Sequence, residues 1–148
     1  MPFFYFDSTA LVKRYSRERG TRLVNKLLVK RGKVALVPTQ GVSEMYAVVA
    51  NQAKRELLTR DDWYSVVFRF ELESAQGLFH FIAPTHDTYL SAKELSLHHP
   101  NLRGQQLLHL ALAVELKPLR LTMVSADKEL LDACRPYGIK QINPEDDQ

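Results

Sequence analysis

The apolar run Phe3-Phe4-Tyr5-Phe6 closes on a carboxylate, Asp7, and the run Leu121-Thr122-Met123-Val124 closes in the same way on Ser125-Ala126-Asp127. Short apolar runs of this kind read as strands buried in a sheet covered by helices. In each case the acid opens a polar segment at the start of a helix. Two such acids, far apart in sequence but each just past a strand, belong to one sheet edge, the place where open α/β folds bind ligands. Carboxylate oxygens gathered there suit a hard divalent cation, Mg2+ or Mn2+.

Between and around these runs, strand and helix patterns alternate. Thr9 to about Glu18 reads as a helix with Ser8 or Thr9 at its N-cap. Leu23, Leu27 and Leu28 mark a second helix, ended by Gly32, and Val34–Val37 is the second strand, stopped by Pro38. Thr39 is placed to cap a long helix carrying Val42, Met45, Tyr46 and Val49, and Thr59 to open another carrying Trp63, Val66, Val67 and Phe70. A strand at Phe79–Ile82, helices over Pro84–His99 and Leu102–Lys117, and the strand Leu121–Val124 follow. A helix over Asp127–Tyr137, ended by Gly138, and a strand at Ile139–Ile142 complete the pattern. The stretch from Trp63 to Phe81 is also long enough to project as half of a hairpin. This order implies an α/β domain with a mostly parallel sheet and helices on both faces. It occupies residues 1–144, with a polar tail at 145–148.

A chain of 148 residues, 45% apolar and 25% charged, fits one globular domain and excludes a disordered polymer. No apolar run is long enough to span a bilayer, and the N-terminus does not read as a secretory leader. The single cysteine, Cys134, excludes an internal disulfide and reads as a buried thiol. A cytoplasmic protein is the expectation. The net charge is +3, and the basic residues are bunched: Lys13, Arg14, Arg17, Arg19 and Arg22, then Lys26, Lys30, Arg31 and Lys33. Such a cluster beside an acidic edge suits a polyanion, and is equally the pattern of a solvated helix face. No glycine-rich loop follows the first strand, so a nucleotide-binding fingerprint is absent. His109 lies on a leucine-rich face and reads as a structural histidine bonded to a backbone carbonyl. Trp63, Phe68 and Phe70 read as core or interface.

Four blocks of the chain, in order, resemble one family. They are Tyr5-Phe6-Asp7-Ser8-Thr9-Ala10-Leu11-Val12-Lys13-Arg14-Tyr15, Val42-Ser43-Glu44-Met45-Tyr46, Leu102-Arg103-Gly104-Gln105-Gln106-Leu107-Leu108-His109-Leu110-Ala111, and Ser125-Ala126-Asp127-Lys128-Glu129-Leu130. Together they resemble the PIN domains, in particular the VapC toxins of prokaryotic toxin–antitoxin pairs. The resemblance implies a PIN-like, three-layer α/β/α fold and a metal-dependent endoribonuclease using Mg2+ or Mn2+. It implies that Asp7 and Asp127 hold the metal, that Glu44 ligates it directly or through water, and that Ser8 and Thr9 assist. Lys13, Arg14 and Arg103 would meet RNA phosphates. It also implies a homodimer and an antitoxin whose peptide places an Arg or Lys among the carboxylates. One position departs from the family: Gln106 stands where an aspartate is usual. The site thereby loses one negative charge, leaving two readings: a weakened ribonuclease, or a catalytically impaired PIN domain that binds RNA or an antitoxin without cleavage.

Overall fold

Phe3–Phe6 forms β1, the middle strand of a five-stranded sheet ordered β3-β2-β1-β4-β5. Its neighbours are β2 (Val34–Pro38), with Tyr5 opposite Leu36, and β4 (Thr122–Val124), with Tyr5 opposite Met123. The short strands β3 (His80–Ile82) and β5 (Lys140–Ile142) form the edges, and every pairing is parallel. A computed structural model describes residues 1–146 of the chain. Of the polar tail anticipated at 145–148, residues 147 and 148 lie outside the described residues.

Strand periodicity divides the core into two layers. Successive side chains of β1 point to opposite faces. Phe4 and Phe6 join Ala35 and Val37 on one face, and Tyr5 joins Leu36 and Met123 on the other. The first face is covered by α1 (Ser8–Leu11), α2 (Thr21–Leu28), α3 (Thr39–Lys54) and α4 (Arg60–Ala75). The second is covered by α5 (His86–His98), α6 (Gly104–Glu115) and α7 (Lys128–Cys134). The result is a three-layer α/β/α sandwich with a fully parallel sheet, as the alternating pattern requires. Cys134 is buried in the second layer. Among the described residues, no helix is long and apolar enough to cross a membrane.

Several boundaries differ from the sequence reading, each for a local reason. The first helix starts one residue earlier than read, with Asp7 rather than Ser8 or Thr9 as its N-cap, and is one turn long because the chain tightens into a 3-10 turn at Val12–Arg14. At α3 the N-cap is Pro38 rather than Thr39, which is already helical. Thr59 does cap α4, in a reciprocal box with Asp62. α4 does not project: Val66 and Phe70 are buried in the same layer as Met45 and Val49 of α3. Pro118 and Pro136 each sit in a 3-10 turn just beyond a helix, so α6 and α7 stop short of the predicted Lys117 and Tyr137.

The chain builds β1, β2 and β3 outward on one side, then crosses back to lay β4 and β5 on the other. The reversal lies between β1 and β4. The crevice past their carboxyl ends is therefore the ligand position expected of this topology, and Asp7 and Asp127 follow those two ends.

Candidate functional site

Asp7 is 3% exposed. Its Oδ1 accepts hydrogen bonds from the Thr9 hydroxyl at 2.6 Å and the Ala10 amide at 3.1 Å, and its Oδ2 accepts from the Ser125 hydroxyl at 2.6 Å. Its own amide donates to the Val124 carbonyl across the β1–β4 seam. Burial raises the pKa of this carboxyl above its ordinary value; His109 and the three donors pull the other way without cancelling the shift.

Asp127 caps α7 with Oδ1, which accepts from the Leu130 amide at 3.2 Å. Its amide donates to Ser125 Oγ at 3.0 Å, so one hydroxyl joins Asp7 to the Asp127 backbone. Thr9 Oγ1 adds a second link, accepting from the Ala126 amide at 2.9 Å. Asp127 Oδ2 takes a hydrogen bond from Gln106 Nε2 at 2.8 Å, while Gln106 Oε1 accepts from the Arg103 amide at 2.8 Å. Gln106 is 5% exposed and stands in the first turn of α6, so it satisfies a helix N-terminus and a neighbouring carboxylate together.

Glu44, on α3, reaches the same rim. Ser8 Oγ donates to its Oε2 at 3.3 Å, and His109 Nε2 lies 2.9 Å from its Oε1. The other ring nitrogen of His109 is 2.8 Å from the Tyr5 hydroxyl. Tyr5 is fully buried, and burial holds its phenol well above the ordinary range, reinforced by the charges of Asp7 and Glu44. A carboxylate oxygen only accepts, so Nε2 donates to Glu44. His109 is structural, but its partners are two side chains and not the backbone carbonyl expected.

The rim thus assembles Asp7, Ser8, Thr9, Glu44, Gln106 and Asp127 from four different elements. The structure adds Tyr5, Ser125 and His109, which sequence reasoning did not place there. Tyr5 and Asp7 have the same strand parity, and this is the one signal that connects them in advance.

The basic residues behave differently. The Lys13 side chain is 4% exposed and its ammonium donates to Glu18 at 2.8 Å and to the Arg19 carbonyl at 2.7 Å, with Glu145 at 3.5 Å. A buried, triply engaged ammonium is at odds with a phosphate contact. Arg14 donates to both carboxylate oxygens of Glu73 and to Asn25 Oδ1, tying the chain after α1 to α4 and α2. Arg103 alone of the three is exposed, at the edge of the rim.

The carboxylates can be tested against the divalent cation implied by the resemblance. Each one is already engaged by neutral donors. The Gln106 amide presents N–H rather than oxygen to Asp127, and among the described residues no group of three or more His, Cys, Asp or Glu side chains is arranged to hold a metal ion. This donor arrangement does not fit Mg2+ or Mn2+, which require several converging oxygens.

No family model matches the chain, and no curated protein matches it. Solved structures do. VapBC2 from Rickettsia felis, crystallised with a DNA fragment from its promoter, has a chain that superposes with a TM-score of 0.68 at 13% identity, over 95% of this chain and 98% of that one. FitAcB from Neisseria gonorrhoeae gives 0.63 at 17% identity, over 95% and 97% of the two chains. A toxin–antitoxin complex from Klebsiella pneumoniae gives 0.62 at 17% identity, with the same coverage of 95% and 97%. The near-complete coverage of both partners, with the sheet order and layers described above, identifies the architecture as a PIN-like three-layer α/β/α fold.

Proposed function

We propose that this chain is the toxin-type, PIN-like half of a cytoplasmic type II toxin–antitoxin pair, and that its acidic rim binds a basic side chain of the partner rather than cleaving RNA. The single observation that carries this reading is the 2.8 Å hydrogen bond from Gln106 Nε2 to Asp127. Where cleavage chemistry would need a further anionic oxygen, the rim carries an amide donor. What remains is a set of carboxylates, Asp7, Glu44 and Asp127, with no Lys or Arg side chain bonded to any of them among the described residues. A guanidinium offers several donors in a planar fork, and a carboxylate has more accepting sites than the neutral donors already there occupy, so an Arg can bond Glu44 or Asp127 without displacing them. The fold neighbours support the partner class, since VapBC2 and the Klebsiella protein are complexes of this kind. Tyr64, Phe68 and Leu72, spaced one helical turn apart on α4 and 55%, 65% and 45% exposed, support a homodimer buried on that helix. Sedimentation as a monomer would remove the dimer from the reading.

A second reading, the metal-dependent ribonuclease, is favoured by the position of Asp7 and Asp127 at the topological switch point. The two separate in one experiment: the chain is incubated with end-labelled single-stranded RNA and Mn2+, and in parallel titrated with a fluorescent Arg-containing peptide and its Arg→Ala control. Binding without cleavage is expected, with the peptide's affinity falling at least tenfold in the control or in Glu44→Gln. Cleavage of RNA by the unaltered chain, abolished in Asp7→Asn, overturns the binding reading in favour of the nuclease.

A further inference from the structure

A carboxamide has one accepting end and one donating end. Gln106 lies between a backbone N–H that needs an acceptor, at Arg103, and a carboxylate that needs a donor, at Asp127. Rotating the amide by half a turn would oppose N–H to N–H and oxygen to oxygen, so both neighbours select the same orientation. The oxygen of Gln106, its one atom able to ligate a cation, therefore faces the α6 backbone, and the face turned to Asp127 carries hydrogens. Asp127 is held at its other oxygen by Leu130, and the hydroxyl of Ser125 is engaged by Asp7 and the Asp127 amide together. With Gln106 95% shielded from solvent, water does not loosen this arrangement.

We infer that Gln106 is a clasp that closes this rim to divalent cations and leaves its carboxylates to a hydrogen-bond-donating organic cation. The inference rests on the binding reading of the same site and names the residue that enforces it. To seat Mg2+ or Mn2+ beside Asp127, the clasp must open, and opening it strips the α6 N-terminus of its acceptor as well. Glutamate at this position keeps the length of the side chain and the acceptor for Arg103, and replaces the donor with a second anionic oxygen. Gln106→Glu therefore sets two carboxylates against each other in metal-free buffer, and relieves them when a cation enters.

The test is thermal unfolding of the full chain with EDTA and with Mn2+, for the unaltered protein, Gln106→Glu and Gln106→Ala. The unaltered protein is expected to keep its Tm in Mn2+. Gln106→Glu is expected to melt lower in EDTA and to gain roughly 5–10 °C once Mn2+ exceeds its Kd about a hundredfold. Gln106→Ala, which opens the clasp without supplying a further anionic oxygen, is expected to gain less in Mn2+ than Gln106→Glu but more than the unaltered protein. A Mn2+ shift in the unaltered protein as large as in Gln106→Glu overturns the inference, and so does no shift in Gln106→Glu. Should the glutamate variant fail to fold, hydrogen exchange of the side-chain amides in the unaltered protein decides. Gln106 is expected to exchange at least tenfold more slowly than its exposed neighbour Gln105, and equal rates would overturn the clasp. Neither readout involves RNA or a peptide, so this inference and the proposed function can fail separately.

Discussion

The rim past β1 and β4 and the segment just after α1 both bury charge, and they do so by opposite means. At the rim, Asp7 is held by two hydroxyls and an amide, and Asp127 by an amide side chain and a backbone N–H. After α1, Lys13 meets Glu18 and Glu145, and Arg14 meets Glu73. Neutral donors stabilise a charge but leave it uncompensated, whereas an ion pair cancels it. Lys13 and Arg14 are consequently internal structure, whereas Arg17, Arg19 and Arg22 of the same basic run are exposed. The anionic rim keeps a field that an incoming cation can use, and the proposed binding at the rim rests on that difference.

The sharpest way to break this comparison is at Lys13. Lys13→Met keeps the alkyl stem and removes the ammonium, leaving the Arg19 carbonyl without its donor. Breaking a fully buried pair costs about 3–5 kcal/mol. Here Glu18 and Glu145 are 33% and 40% exposed and regain water, so a loss on the order of 2 kcal/mol is expected, read as a fall of roughly 5 °C in Tm. Peptide binding at the rim should be unchanged. An unaltered Tm with weakened RNA binding would return Lys13 to the role of a phosphate contact.

The same contrast explains what was legible in the sequence. Asp7 and Asp127 were readable because a strand end is a local pattern, and the parallel sheet followed from the alternation of apolar runs with helical spacing. The family blocks brought Glu44 to the same edge. The hydrogen bond of Ser125 to Asp7 and the chain from Tyr5 through His109 to Glu44 were not readable, since each joins residues distant in sequence and no periodicity encodes which side chains meet across a crossover. Lys13 and Arg14 were misleading for a related reason. Counting charges along a segment registers their number and not their direction, and a turn of 3-10 helix after Leu11 aims both back into the protein. The short first helix shares this origin, since the same 3-10 turn ends it, while Asp7 both serves the site and caps the helix through the Ala10 amide.

A smaller effect, of opposite sign, sharpens the comparison at Asp7. Burial lifts the folded-state pKa of Asp7 above the ordinary carboxylate value of 3.8. Between those two values the folded chain binds more protons than the unfolded one, so stability falls as pH rises through the interval and stays at its lower level beyond it. Asp7→Asn cannot ionise, yet its carbonyl oxygen still accepts from Thr9 and Ala10 and its amide can donate to the Ser125 oxygen. The variant should match the unaltered protein below pH 3.8 and become the more stable of the two as pH climbs above that value, with the advantage retained at neutrality and smaller than the loss at Lys13. Denaturant unfolding of both proteins across this range measures the difference. A carboxylate compensated by a cation in the manner of Glu73 would give the reverse: its asparagine variant would be the less stable partner at neutral pH, and that result would mean the rim holds its charge as the α1 segment does.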